Sequence, residues 1–441
     1  MTRKLILSLA VSLVSFMGCS QNIDKTKLDA YFDVLSENNR FMGSVAIAQG
    51  DKVVYSKTVG FSDVGKNLKA SENSKYRIGS ISKTFTAVLT LKAVEENKLS
   101  LSQTIDKWFP TIGNADKITI EHLLRHRSGL HNHVDEFVNS KRHTQPITEK
   151  EMIEVIIKGG SDFEPDTKMA YSNPNYILLT YILEKIYEKP FSKILEEKIT
   201  NPLGLKNTFM REKIDTSSGE SNSYNFLNNK WELAPELEVS QALGAGAITS
   251  NPADLVKFIH ALFSGKLITE NSLITMKTVQ DHLGIGLIQM PFYDKTGFGH
   301  TGGIDGFRSV FGYFPTGEIS FAYTSNGLNF NGNDISIALL SAAYDKPFEI
   351  PEFTTVELTA EDLEKYLGVY SSKQIPLKMT MTKSNNQLFG QATGQPSFPL
   401  EATAKDKFEF KQAGVVLEFN PTDKTMILKQ GGGAFNFERE Q

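Results

Sequence analysis

The chain reads as an α+β fold followed by a smaller antiparallel β domain. Strand-like segments stand at both ends of the region up to Asp345, helical spacing fills its middle, and beyond Tyr366 short β segments alternate with turn residues. Taken in order, Asp24 to Asn39 carries Leu28, Tyr31, Phe32 and Leu35 on one helical face. Gly43 to Ala48 and Lys52 to Ser56 follow as strands around Gly50-Asp51, a pair suited to a tight hairpin turn. Ala87, Val88, Leu91 and Val94 recur on one face of a helix entered near Ser80. Leu178 to Tyr187 and Asp254 to Phe263 also have helical spacing, and Phe307 to Phe314 pairs with Ile319 to Thr324 around Pro315-Thr316-Gly317. One antiparallel sheet assembled from both ends of this region, with helices against it, follows from that order.

Pro347, Pro351 and their acidic neighbours show neither periodicity, so residues 346–360 read as a linker between a main domain over 28–345 and a second over 361–441. The second holds Leu377 to Thr382, Gln387 to Gln391, Phe408 to Lys411, Val415 to Phe419, Met426 to Lys429 and Phe435 to Phe437, separated by turns such as Ser384-Asn385-Asn386. That rhythm predicts a small closed or nearly closed antiparallel barrel. Gly431-Gly432-Gly433 reads as a hairpin connection, since no helix with a Lys-Ser/Thr pair follows it as in a phosphate cradle.

With 441 residues, 40% of them hydrophobic and 22% charged, the chain can bury a large core in two domains. A formal net charge of −4 supplies no broad positive field, which argues against a nucleic-acid partner. At the N-terminus, Arg3 and Lys4 precede an apolar run from Leu5 to Phe16, so residues 1–18 read as an export signal. Cys19, the single cysteine, follows Phe16-Met17-Gly18, a segment that resembles the bacterial lipobox, with residues 19–27 as a tether. The resemblance implies an exported protein of the bacterial cell envelope, held at a membrane by lipid on Cys19. Cleavage that leaves a free thiol is the alternative. One cysteine permits no disulfide within the chain.

The chemistry centres on Tyr76-Arg77-Ile78-Gly79-Ser80-Ile81-Ser82-Lys83 at the start of a helix. Ser80 and Lys83 fall on one side of its first turn, where an amine can orient and deprotonate a hydroxyl. Backbone N–H groups at a helix N-terminus favour the oxyanion formed when a carbonyl is attacked. To act as a base near neutrality, Lys83 needs its pKa lowered by burial or by a neighbouring positive charge. Alone, Ser-x-x-Lys also fits a helix-capping Ser with a solvated Lys. Two more segments add weight: Tyr171-Ser172-Asn173, which places a phenol and an amide on one short loop, and His300-Thr301-Gly302 with Gly303, which opens a strand.

Together these three segments, in this order, resemble the serine β-lactamase/penicillin-binding-protein superfamily, in its class C β-lactamase, D-Ala-D-Ala carboxypeptidase and esterase branch. Glu121 to Leu130, Asn201 to Leu205 and Gly297 to Gly303 look familial as well, and the resemblance spans roughly Leu28 to Ala343. It implies a β-lactamase/transpeptidase-like fold and covalent hydrolysis of an amide or ester without metal or organic cofactor. Carried over by residue, Ser80 is the acylated nucleophile, Lys83 its activating partner, and Tyr171 exchanges protons with Ser80 and the leaving group. Asn173 holds the substrate amide, His300 and Thr301 occupy the third motif on the substrate side, and the amides of Ser80 and Gly303 form the oxyanion hole. His300 stands where many β-lactamases carry Lys, and a neutral imidazole holds a carboxylate less well than an ammonium, so strong β-lactam turnover is not expected. Arg308 is a second candidate for that charge, against a surface or packing role. Substrates implied are D-amino-acid peptides, small esters or β-lactams. The alternative is a slowly acylated or non-catalytic binding protein that holds peptidoglycan fragments through its barrel.

His122 and His126 lie one helical turn apart, with His131 and His133 close by, a spacing able to hold a metal. No Glu adjoins the first His, and Arg125 and Arg127 repel a cation, so no metal site is expected there. The pairs Asp135/Glu136, Glu196/Glu197 and Glu361/Asp362 read as solvated faces.

Overall fold

The computed structural model describes residues 23–133, 143–227, 229–353, 356 and 358–440. The export signal, Cys19, the Asp135/Glu136 pair and part of the loop from His131 to Thr148 lie outside the described residues.

Helix α1 (Lys25–Glu37) is capped by Asp24, whose carboxylate accepts from the Lys27 amide at 2.9 Å, and it buries the predicted Leu28, Tyr31, Phe32 and Leu35. A hairpin of β1 (Phe41–Gln49) and β2 (Lys52–Val59) follows. Much later come β3 (Ile288–Phe292), β4 (Lys295–Ile304), β5 (Phe307–Phe314) and β6 (Ile319–Leu328). They form an antiparallel sheet in the order β3-β4-β5-β6-β1-β2, so the first hairpin joins the late strands through β1 against β6. Alternation along β1 sends Val45 and Ile47 to one side and Ala46 and Ala48 to the other. The Val45 side packs with α1 and α5 (Gly332–Ala343), and the Ala46 side packs with α2 (Ser82–Glu95), α3 (Asn173–Tyr187) and α4 (Pro252–Phe263).

The spacing of Ala87, Val88, Leu91 and Val94 suggested a helix with one apolar face. Instead α2 is buried on nearly every side from Ser82 to Leu91. Its hydroxyls make this possible: Thr84 donates to the Gly286 carbonyl at 2.7 Å, Thr86 to that of Gly244 at 2.8 Å and Thr90 to that of Thr86 at 2.8 Å. A buried hydroxyl with a carbonyl partner costs little, so the helix can serve as the central rod that carries the site.

Eight strands close the C-terminal barrel: β7 (Gly368–Ser371), β8 (Lys378–Ser384), β9 (Gln387–Ala392), β10 (Phe398–Ala404), β11 (Lys407–Phe410), β12 (Val415–Asn420), β13 (Thr425–Gln430) and β14 (Gly433–Arg439). Gly431 and Gly432, both at positive φ, make the turn between β13 and β14. Met379, Met381, Leu388, Leu417, Met426 and Phe437 fill the interior. Between the two units the Arg40 guanidinium, buried beneath the sheet, pairs with Glu401 on β10. The connecting segment is pinned by Phe353, whose ring lies between Arg40 at 4.8 Å and Lys411 at 4.1 Å.

Candidate active site

Ser80 sits in a short 3-10 turn, Gly79–Ile81, that runs straight into α2. The segment before it is fixed from several directions. The Tyr76 hydroxyl bonds Ser44 Oγ on β1 at 2.8 Å. Arg77, only 2% exposed, donates to the Leu237 carbonyl and the Glu236 carboxylate, each at 2.6 Å, and lies 3.6 Å from Asp305. Burial holds the Asp305 carboxyl up, at about 6, against the pull of Arg77. The Ile78 amide donates to the Ile248 carbonyl at 2.9 Å, and its own carbonyl accepts from Ser309 Oγ on β5 at 2.8 Å.

Gly79 has φ +51, and a Cβ there would lie 2.6 Å from the Gly303 nitrogen. A Cβ on Gly302 would run into the Ile78 carbonyl. Only glycine permits such backbone-to-backbone contact, and it brings the Ser80 turn against β4 beside the Gly303 amide.

One helical turn on, Lys83 is fully buried. Its Nζ lies 3.1 Å from Ser80 Oγ, 2.7 Å from Asn173 Oδ1 and 2.7 Å from the Ala245 carbonyl, and 4.9 Å from the centre of the Tyr171 ring. Burial drives its pKa well below the usual lysine range. The Tyr171 phenol also bonds Ser80; burial raises it to about 12 and the bond to Ser80 offsets part of that rise. The residue as a whole is 37% exposed, so Tyr171 is partly open to the outside. Lys83 and Tyr171, from two distant segments, thus converge on the Ser80 hydroxyl, and Asn173 holds the Lys83 amine.

His300 is 6% exposed on β4, and its Nδ1 donates to the Thr301 carbonyl at 2.6 Å. Since a carbonyl only accepts, Nε2 is left as an acceptor. Burial lowers its pKa to about 4, with the charge of Lys83 in the same direction and the Thr301 bond opposing. Thr301 and Gly303 alternate to the other side of the strand, as does Arg308, which is in register with Gly303 on β5. Arg308 donates to the carbonyls of Asp305 at 3.2 Å and Phe307 at 2.7 Å. A cavity of about 1730 Å³ separates this side from the barrel, walled by Thr301, Gly303, Arg308, Tyr323, Phe398 and Lys411. Ser80, Lys83 and Tyr171 do not line it.

Two residues of the site escaped sequence reasoning. Asn132 Oδ1 accepts from the Asn173 amide at 3.1 Å and from Asn173 Nδ2 at 3.2 Å, which turns the Asn173 oxygen toward Lys83. No periodicity or motif marks it. His126, weighed above only as a metal ligand, stacks on Tyr171 with ring centres 4.4 Å apart. His122 instead caps its own helix through Thr119, and His131 pairs with Asp162 at 2.9 Å. Glu196 and Glu197 pair with Lys193 and Lys189, and Asp362 caps a helix through Thr359.

A family model described as Beta-lactamase matches residues 28–346. Penicillin-binding protein 4* of Bacillus subtilis (strain 168) is 24% identical over 439 residues, covering 92% of this chain and 96% of that protein. Teichoic acid D-alanine hydrolase of Staphylococcus aureus (strain MRSA252) is 27% identical over 246 residues, 55% of this chain and 59% of that protein. The structure of the D-amino acid amidase of Ochrobactrum anthropi SV3 complexed with L-phenylalanine superposes with a TM-score of 0.63 at 25% identity, covering 73% of this chain and 99% of that one. The Ser80-x-x-Lys83, Tyr171-x-Asn173 and His300-Thr301-Gly302 segments of this chain all lie within residues 28–346, and the chain belongs to the beta-lactamase family of the serine β-lactamase/penicillin-binding-protein superfamily.

Proposed function

We propose that the protein is a serine hydrolase that cleaves an amide or ester bond of a D-amino-acid derivative through an acyl-enzyme on Ser80. The observation that carries this reading is the fully buried Lys83 amine 3.1 Å from Ser80 Oγ. A lysine with its pKa depressed by burial supplies the neutral amine that a base requires. Lys83 takes the hydroxyl proton as Ser80 Oγ adds to the carbonyl carbon, and the amides of Ser80 and Gly303 receive the oxyanion. The Tyr171 phenol, held protonated at neutral pH, donates its proton to the departing amine or alcohol and regains one from the Lys83 ammonium. Water then adds to the ester and passes a proton to Lys83, which returns it to Ser80 Oγ as the acid leaves. Asn173 and the acceptor Nε2 of His300 hold the substrate's polar groups, and Thr301 faces the adjoining cavity. A neutral His300 is a poor anchor for a β-lactam carboxylate, which favours D-aminoacyl amides and esters. The names of the amidase and the D-alanine hydrolase among its relatives point the same way.

Turnover of p-nitrophenyl esters and D-Ala-D-Ala peptides by wild type and Ser80→Ala tests the reading. A loss of roughly a thousandfold or more is expected, with the acyl group found on Ser80 by mass spectrometry. Equal rates would remove the enzyme, and a fluorescent penicillin held on Ser80 without any turnover would favour a binding protein. For location, residues 1–19 support export and lipid attachment at Cys19 in the bacterial envelope. Mature protein from a membrane fraction should carry a mass increase that Cys19→Ser abolishes; an unmodified thiol there would reject the anchor.

A further inference from the structure

We infer that His126 is the positioning residue of Tyr171, clamping the backbone on both sides of it and backing its ring. The Ala170 amide donates to the His126 carbonyl at 3.0 Å, and the Ser172 amide donates to His126 Nδ1 at 3.1 Å. The residues before and after Tyr171 are therefore tied to one and the same side chain and backbone. Between those ties the imidazole stacks on the phenol ring, centres 4.4 Å apart and planes inclined at 29°. Tyr171 gains from such support because it is partly open to the outside.

His126 is itself fixed. It sits at φ +56 just beyond the helix Ile120–Leu124, with its amide donating to the Leu123 carbonyl at 3.3 Å. Its ring lies 5.2 Å from that of Tyr176, whose hydroxyl donates to the Leu124 carbonyl at 2.9 Å, and Asn175 Nδ2 stands 3.3 Å from Nδ1. Asn175 is held in turn by the Ser128 hydroxyl at 2.6 Å. A ring nitrogen that accepts a backbone N–H carries no proton, which fixes the neutral Nε2–H tautomer. Among the described residues, the groups that face the ring are Lys83 from α2, His300 from β4, Tyr171 just before α3 and Tyr176 within it, with Arg125 next to His126 in the chain. Burial holds its pKa well below the ordinary imidazole range, and any charge on Lys83 or His300 pushes the same way, so His126 stays neutral and the clamp persists across the working pH range.

The inference rests on the acyl-serine reading and is tested with two variants that remove different halves of the clamp. His126→Asn tolerates the positive φ and keeps an acceptor near Nδ1, but lacks the ring; His126→Phe keeps a ring and lacks the acceptor. With rates normalised to burst-titrated enzyme, kcat should fall roughly tenfold to a hundredfold in each, with KM changed by less than about threefold. Loss of the ring admits water to Lys83, so the acidic limb of the kcat profile should move to higher pH in His126→Asn and stay in place in His126→Phe. A merely structural role would lower the amount of active enzyme and move neither kcat nor the limb. Wild-type kcat and limb in either folded variant overturn the inference. If Ser80→Ala already matches wild type, the acyl-serine reading fails by itself, and a crystal structure of His126→Asn still decides: Tyr171 displaced supports the clamp, Tyr171 unmoved refutes it.

Discussion

Among the described residues, Lys83 has no acidic partner. Its Nζ meets a hydroxyl, an amide oxygen and a backbone carbonyl, and burial lowers its pKa. Lys83→Arg places a bulkier group that stays protonated where burial disfavours charge, so kcat should fall by roughly a hundredfold or more and the thermal midpoint should drop with it. In the wild type, activity should rise with pH through a limb well below the ordinary lysine range, because the neutral amine is the working form. His300 leads to a stability prediction. Its folded pKa of about 4 lies below the ordinary 6.5, so above pH 6.5 neither folded nor unfolded chain binds the proton there. As pH falls from 6.5 to 4 only the unfolded chain takes it up, and up to about 3 kcal/mol of stability is lost. Buried His126 is depressed in the same direction and adds to the loss. Urea midpoints at pH 7.5 and 5 should differ less in His300→Gln than in wild type; an equal difference would remove His300 from the account. Much of the site was legible at this scale, since Ser80, Lys83, Tyr171 and Asn173 stand in short recognisable patterns. Asn132 was not, because an amide that merely orients another amide leaves no trace in spacing or composition.

Elements place those residues, and two glycines decide whether they can. Gly79→Ala puts a methyl 2.6 Å from the Gly303 nitrogen at a φ that disfavours it, and Gly302→Ala drives one into the Ile78 carbonyl. Each should destabilise the protein by about 1–3 kcal/mol and slow acylation of Ser80 more than it weakens substrate binding. Stopped-flow acylation against KM checks this, and a loss confined to KM would count against the shared oxyanion site. The hairpin at Gly50-Asp51 and the strands Phe307–Phe314 and Ile319–Leu328 were readable from alternation and turn chemistry. Burial of α2 on all sides was not, since its threonines look polar until their carbonyl partners are known. Strand β10 escaped notice for a related reason: Pro399 interrupts it, and only Leu400 and Ala402 along it are buried. Strand β7 opens on a glycine and buries only Tyr370, so no alternation shows in its four residues.

At the scale of the molecule, Arg40 and Phe353 hold the barrel to the sheet. Arg40 is buried with its Nε already unpartnered, so its pairing with Glu401 carries most of the compensation for the buried charge. Glu401→Ala should cost on the order of 2–3 kcal/mol and lower the thermal midpoint, whereas kcat toward small esters should hold. An unchanged midpoint would show that the pair contributes nothing to the junction. A barrel was foreseeable from regularly spaced short strands, but which of its outer residues meet the sheet was not, because surface charges such as Glu401 look alike until a partner is placed. The contact of Gly79 with Gly303 has one more consequence. Its two halves are synthesised far apart in time, the first with the opening third of the polypeptide and the second only when the late strands emerge. A chain still on the ribosome therefore owns a serine and a lysine but not yet the Gly303 amide beside them. On the proposed acyl-serine reading, acylation by a mechanism-based probe should report that β4 has docked against the Ser80 turn.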